Sequence, residues 1–236
     1  VAVVIGFAYI FYYHPTFARH FVFAMGIFMI VSRVFRMAFR TAVLWHGNMT
    51  IVEEVIPWHI CHIMCFFLGF ALITDNPNKE HSRKNKLYIT AISYYAFFGS
   101  ALTFLFGDYY EFAVLSFYDI ESILLHLCLW LGWLYFLTQR RMEFSYTSIL
   151  CIFVGMFALL AYGTIGNLLL APHNPEINNM FIRLNGLPFV FFPDAHFLFT
   201  YAVLAVIVYG TAVLWLHLKR RAARNNGETK TGTKPK

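Results

Sequence analysis

The stretch TSILCIFVGMFALLAYGTIGNLLL, residues 147–170, contains no charged side chain and decides the class of this protein. About 20 consecutive apolar residues are enough for one α-helix to cross the hydrocarbon core of a bilayer. The rest of the sequence is also rich in apolar residues and poor in charged ones. Of its 236 residues, 59% are hydrophobic and 13% are charged, whereas an ordinary soluble domain has about 25% charged residues. The sequence therefore predicts an integral membrane protein.

Seven segments have the apolar character of a membrane-spanning helix, and the first of them is short. They are residues 1–13, 21–45, 57–74, 86–106, 118–137, 147–170 and 197–218. Because residue 1 is Val rather than Met and already belongs to an apolar run, we expect the chain to begin inside its first helix. The predicted fold is an all-α bundle of seven transmembrane helices over residues 1–218. A basic tail over residues 219–236 is expected to be disordered.

Basic residues are concentrated in alternate connections between these segments. The basic connections are 14–20, 75–85, 138–146 and the tail, whereas the neutral or acidic ones are 46–56, 107–117 and 171–196. Because cytoplasmic loops carry an excess of Lys and Arg, this alternation predicts an outside N-terminus and a cytoplasmic C-terminus. It also accounts for the net charge of +6 without a nucleic-acid partner. We expect a multi-pass protein of the cell membrane whose partners are membrane lipids.

Arg33, Arg36 and Arg40 share one face of the second predicted helix, because they are spaced by three and four residues. A charged side chain inside a span costs about 2.5–3.5 kcal/mol on insertion scales, so this face should turn away from lipid. Two interpretations remain open. The face either forms an ion-pair network or binds a phosphate or carboxylate, which suits the planar guanidinium group. The candidate acidic partners are Glu53, Glu54, Asp119 and Glu121.

The predicted orientation brings polar residues to the outer end of the bundle and leaves the inner halves of the spans nearly free of them. These residues are His59, Cys61, His62, Asp119, Glu121, His126, Asn167, Asp194 and His196, together with the three arginines. A catalytic cysteine needs a base within hydrogen-bonding reach, usually a histidine. Cys61 and His126 are the candidate nucleophile and base, with His59 orienting them. The alternative is that Cys61 is a buried packing residue.

Other chemistries find less support in the sequence. Zinc held by His59, His62, His126 and His196 with Asp119 or Glu121 is an alternative, but the spacing matches no established zinc motif. Nothing specifies haem ligation, and the last span has no Lys for a retinal Schiff base. Transport through a polar vestibule and a non-catalytic role both remain open. No metal or cofactor is required by the leading interpretation.

Several motifs resemble those of the YwaF-like bacterial integral membrane proteins. Ile56–Cys61 (IPWHIC) is similar to their LPLHLC-type motif, and Tyr94–Phe104 (YYAFFGSALTF) is similar to their FFGxGGALQAL segment. His126 falls at the position of the family's SHG histidine. Asn167 and the residues after it (NLLLAPHNPE…NGLPF) are similar to the NxLLGxNYxFLxxKP…GPWP region. The resemblance extends from about Phe17 to Tyr209.

This resemblance implies a function through a related eukaryotic membrane family, which works as a phospholipid acyltransferase with a Cys nucleophile and a His partner. It implies that Cys61 is the acyl acceptor and that His126 is its base. The expected function is therefore acyl transfer or hydrolysis on a lipid at the outer leaflet. In this scheme the arginine face holds the lipid phosphate, and Asp119 or Glu121 orients His126 or balances the arginines.

Overall fold

The computed structural model describes residues 2–44, 55–106, 117–172 and 202–231, and all regular structure in these ranges is helical. The helices in order are α1 (Ala2–Tyr13), α2 (Pro15–Leu44), α3 (Ile60–Thr74), α4 (Arg83–Phe106), α5 (Phe117–Thr138), α6 (Tyr146–Leu170) and α7 (Thr211–Thr231). A π-helical segment, Ala205–Gly210, leads directly into α7. The predicted all-α fold is confirmed.

Five helical segments in the described ranges are long and apolar enough to cross a membrane. They are Pro15–Val43, Arg83–Phe104, Asp119–Thr138, Tyr146–Leu170 and Ala202–Arg221. Helix α1 has 12 residues and α3 has 15. At about 1.5 Å per residue, neither covers the roughly 30 Å of a hydrocarbon core. The chain is a polytopic membrane bundle, and the number of crossings and the orientation of the termini stay predictions.

The connection predicted between the first two spans is wrong, because α2 already begins at Pro15 and only His14 interrupts the helix. Proline suits the first helical position, where its missing N–H would have no partner. Arg19 therefore lies inside α2 and not in a loop. Its two Nη atoms donate to the carbonyl oxygens of Leu72 and Ile73, each at 2.8 Å. These bonds satisfy carbonyls that the C-terminal end of α3 leaves without helical partners.

Helix α3 packs directly against α2, α4 and α5. Its contact with α2 is very close, because a Cβ atom at Gly26 would lie 2.7 Å from the carbonyl oxygen of Gly69. On the α5 side, a Cβ atom at Gly132 would lie 2.8 Å from Cδ2 of Leu68. Small residues of this kind let helix backbones approach closely in membranes. The packing thus brings facing side chains of α2, α3 and α5 together.

The outer surface of the bundle is apolar on α6 and α7. The large exposed side chains there include Leu150, Val154, Phe157, Leu168, Trp215 and Leu218. Contiguous apolar surface on this scale is unusual in soluble proteins and suits contact with lipid.

Helix α7 continues to Thr231, so residues 219–231 of the tail that we expected to be disordered are helical in the structure. The helix extends past Leu218 through Lys, Arg and Ala residues, which have high helix propensity. Lys219, Arg220 and Arg221 are exposed. Residues 232–236 lie outside the described ranges.

Candidate functional site

Cys61 lies in the first turn of α3, where the chain changes from an extended to a helical conformation. His59 is the residue before the helix, with φ −93° and ψ 148°. Pro57 favours this late start, because the residue before a proline is biased away from the helical region. The first N–H groups of a helix have no helical partner and form the positive end of its dipole, an environment that favours a thiolate. The Cys61 thiol is free and partly exposed.

His126 lies in the middle of α5, and its side chain is buried at 4% exposure. Its Nδ1 atom is 2.7 Å from the carbonyl oxygen of Ser122, one turn earlier. A carbonyl oxygen only accepts, so Nδ1 carries the hydrogen and donates. In the neutral ring this leaves the lone pair on Nε2. The helix backbone thereby holds His126 in the tautomer of a general base.

Cys61 and His126 meet across the interface between α3 and α5, where the thiol and the ring lie close enough to interact. Nε2 of His126 is buried, and among the described residues it has no partner with the alignment of a full hydrogen bond. Because Nδ1 is occupied, the side of the ring available to the thiol is Nε2. Catalytic contacts of this type are often loose without substrate. The structure brings together the two side chains that we expected to form a nucleophile–base pair.

Glu121 is the carboxylate that faces the arginines of α2. Its Oε2 atom is 2.6 Å from Nη1 of Arg36, and its Oε1 atom is 3.8 Å from Nη1 of Arg33. The hydroxyl of Ser32 donates to Oε1 at 3.0 Å. Glu121 is 7% exposed, so this ion pair is largely removed from water. In the described part of the chain, Glu121 lies opposite Arg33 and Arg36, and this part of the arginine face turns inward as expected.

Arg33 lies within electrostatic range of both Cys61 and His126. It is 6% exposed. Its Nη1 is directed to Glu121, whereas its Nε is buried and has no hydrogen-bond partner among the described residues. A buried guanidinium N–H without a partner is costly, and it points to an acceptor that binds there.

The remaining candidate residues lie at the same end of the bundle or outside the described ranges. Arg40 follows Arg36 by one turn of α2, and Asp119 lies in the first turn of α5. Asn167 is buried near the end of α6. The ring of His59 lies edge-on against that of His62, with centroids 5.6 Å apart. The predictions for Glu53, Glu54, Asp194, His196 and most of the connection after α6 fall outside the described residues.

Trp58 connects the segment before α3 to the C-terminal part of α6. Its side chain is 5% exposed and lies 5.1 Å, centroid to centroid, from the ring of Tyr162. A Cβ atom at Gly166 would overlap Cε3 of Trp58, so only glycine leaves room for the indole. This contact places Asn167 at the same end of the bundle as Cys61.

The described part of the chain contains neither a cluster of metal ligands nor a disulfide. Within it, no three His, Cys, Asp or Glu side chains gather closely enough to hold a metal ion. Cys61, Cys65, Cys128 and Cys151 are all free thiols. The zinc alternative also included His196, which is not among the described residues.

A second polar centre lies at the opposite end of α3 and was missed by the sequence reasoning. Asp75 is 3% exposed and accepts a hydrogen bond from the hydroxyl of Tyr135 at 2.7 Å. Nε2 of His81 is 2.7 Å from its carboxylate, and Nε of Arg141 is 3.7 Å away. The end of the bundle that we predicted to face the cytoplasm, where we expected few polar residues, therefore holds a buried polar cluster. The sequence does contain a signal for this centre. Asp75 is an acid directly after one apolar run, and Tyr135 lies near the end of another.

The comparisons with known proteins give a family but no individual relative. The TMEM164 family matches residues 1–218. No curated protein and no solved structure matches the chain. The family match names neither the YwaF-like proteins nor an acyltransferase activity, and it covers every described residue of the Cys61 site. The chain belongs to the TMEM164 family of membrane proteins.

Proposed function

We propose that this protein transfers or hydrolyses an acyl group of a membrane lipid, with Cys61 as nucleophile and His126 as general base. The observation that carries the proposal is the contact between the Cys61 thiol and the His126 ring, whose Nδ1 is bound to the carbonyl of Ser122. A nucleophile, a base and a group that orients the base are the parts that covalent acyl transfer needs.

The reaction begins when Cys61 gives its proton to Nε2 of His126 and the thiolate attacks the carbonyl carbon of a lipid ester. The C–S bond forms while the carbonyl π electrons move to oxygen. Collapse of this intermediate breaks the ester C–O bond, and the departing alkoxide takes the proton from His126. A lipid alcohol or water then loses its proton to His126 and attacks the thioester, which releases the Cys61 thiolate. His126 returns this proton to the sulfur and restores the thiol and the neutral ring. These steps consume no cofactor.

The surroundings of the pair suit a phospholipid substrate. The arginine face of α2 offers guanidinium groups for a phosphate, because they bind oxyanions through a planar fork. The apolar side chains of the surrounding helices suit acyl chains. The basic residues of connections 75–85 and 138–146 and of the segment after Leu218 support placement at the outer leaflet of the cell membrane, with the N-terminus outside. Glu121 forms an ion pair with the arginine face, whereas the Ser122 carbonyl orients the His126 ring.

The test is lipid turnover by the purified protein in vesicles of phosphatidylcholine, phosphatidylethanolamine and phosphatidylglycerol with isotope-labelled acyl chains. Cys61→Ala and His126→Ala are each expected to abolish turnover, because either change removes a participant in the proton transfer. Cys151→Ala and His20→Ala are the matched controls, since both residues lie outside the site. Thermal unfolding in detergent checks that all four variants fold.

Lipid profiles from Cys61→Ala and His126→Ala that equal the wild-type profile would exclude the mechanism. Accumulation of a solute inside the vesicles without any change in lipid would favour a transporter instead. A loss of thermal stability in both variants, with no lipid chemistry in any sample, would indicate a purely structural cluster.

A further inference from the structure

We infer that Arg33 holds the negative charge that develops at Cys61, first on the sulfur and then on the oxygen of the attacked carbonyl. The first half of this inference depends only on the arrangement of Arg33, Cys61 and His126. The second half rests on the acyl-transfer function proposed above. It gives the arginines of α2 different tasks, with Arg33 at the reacting atoms and the others at the phosphate.

The burial of Arg33 is the first argument. At 6% exposure the guanidinium has little water around it, so its interactions with nearby charges are only weakly screened. It lies within electrostatic range of both Cys61 and His126. A fixed positive charge at this position attracts negative charge that forms nearby.

The unpartnered Nε–H of Arg33 is the second argument. Among the described residues no acceptor bonds to it, although it is buried. Leaving such a charged donor unpaired in the protein interior is costly. A transient oxyanion would supply the missing acceptor. This is the arrangement in which a preorganised donor stabilises the transition state more than the ground state.

Glu121 accounts for the division of tasks between the arginines. It lies 2.6 Å from Arg36 but 3.8 Å from Arg33, so its carboxylate is bound more closely by Arg36. Arg33 therefore faces Glu121 through its Nη1 atom, whereas its Nε atom is not used by this carboxylate. Ser32 donates to the same carboxylate and fixes its position. Glu121 thus positions Arg33, whose Nε meets no acceptor among the described residues and can bind another anion.

During the reaction Arg33 exchanges no proton and forms no covalent bond. Negative charge moves from the Cys61 sulfur to the carbonyl oxygen as the C–S bond forms, and returns to the leaving alkoxide as the C–O bond breaks. His126 neutralises that alkoxide with the proton it took from Cys61. Arg33 stabilises the charge at the first two positions.

Two measurements on Arg33→Gln and Arg33→Lys test the inference. The first is the rate of Cys61 alkylation by iodoacetamide, read by site-resolved mass spectrometry, which reports thiolate without requiring turnover. The second is the kcat and KM of lipid turnover in the vesicle assay. Arg83→Gln is the control, because Arg83 is exposed and pairs with Glu143 at 3.0 Å, far along the chain from the site.

We expect Arg33→Gln to slow alkylation severalfold and to lower kcat by about 10²-fold, the usual effect of losing one oxyanion donor, with KM nearly unchanged. Arg33→Lys should keep most of the alkylation rate because it keeps the charge, yet lose kcat because it lacks the Nε–H. Where Arg33→Gln does not fold, Arg33→Lys decides through this separation of the two readouts.

An unchanged alkylation rate and an unchanged kcat in a folded Arg33→Gln would overturn the inference while leaving acyl transfer intact. A rise in KM with constant kcat would also overturn it and would make Arg33 a phosphate ligand. If no sample turns over lipid but Arg33→Gln still slows alkylation, acyl transfer fails and the charge-holding role of Arg33 stands.

Discussion

Replacing Gly26 with Ala should force α2 and α3 apart, because the added Cβ would lie 2.7 Å from the backbone oxygen of Gly69. Contacts between carbon and oxygen normally begin at about 3.3 Å, so the helices must separate by roughly 0.6 Å. Overpacking of this kind costs about 1–3 kcal/mol. A Gly-to-Ala change within a helix regains about 0.5–1 kcal/mol. The net loss of stability therefore lies between about 0 and 2.5 kcal/mol, with about 1 kcal/mol near the middle of that range.

The assay for this change is thermal unfolding of the purified protein in detergent. For a domain of this size, about 1 kcal/mol corresponds to a fall of roughly 2–4 °C in Tm. Gly6→Ala in α1 is the matched control, because a Cβ atom there would meet nothing within 4 Å. Its Tm should stay constant or rise slightly. A Tm for Gly26→Ala equal to that of Gly6→Ala would refute the close packing of α2 on α3.

Two further predictions concern the buried ion pairs at the two ends of the bundle. Glu121→Ala should lower the free energy of unfolding by about 3–5 kcal/mol, because Arg33 and Arg36 lose their buried carboxylate; an unchanged Tm would show that these arginines are compensated elsewhere. Tyr135→Phe should cost about 1.5–3 kcal/mol, since the buried Asp75 carboxylate loses a hydrogen-bond donor. The same variant should leave lipid turnover unchanged once folded, and a selective loss of turnover would contradict the separation of the Asp75 centre from the Cys61 site.

The parts of the fold that the sequence predicts well are those set by composition. Long apolar runs can only be helices in a bilayer, because each backbone group must find its partner within the segment. The predicted span 147–170 and helix α6 (Tyr146–Leu170) differ by one residue at the start. The capping box of Ser145 and Ser148 defines that start in the structure.

The errors arise where tertiary contacts decide the structure. Arg19 looks like a loop residue, yet it lies on a helix because carbonyls of α3 accept its N–H groups. Asp75 looks like the first residue of a loop, yet Tyr135 and His81 bury it. Neither pairing is visible in the local sequence, since the partners are far apart along the chain.

In the candidate site too, the sequence predicts some features, whereas others depend on tertiary contacts. Helical spacing predicts that the three arginines share a face, and the chemistry of cysteine predicts a histidine partner. The identity of the carboxylate, Glu121, and the backbone group that orients His126 depend on helix rotation and depth. The sequence gives helix rotation and depth only approximately. Successive residues on a helix point about 100° apart, so an error of one residue in the register changes which side chains face a neighbouring helix.

The most direct measurement of the central claim is peptide mass spectrometry of the protein after incubation with vesicles that carry labelled acyl chains. The account predicts a labelled acyl group on Cys61 that hydroxylamine removes, as it does a thioester, and that does not form in His126→Ala. An unmodified Cys61 in a sample that is turning over lipid, or an equal adduct in His126→Ala, would contradict it.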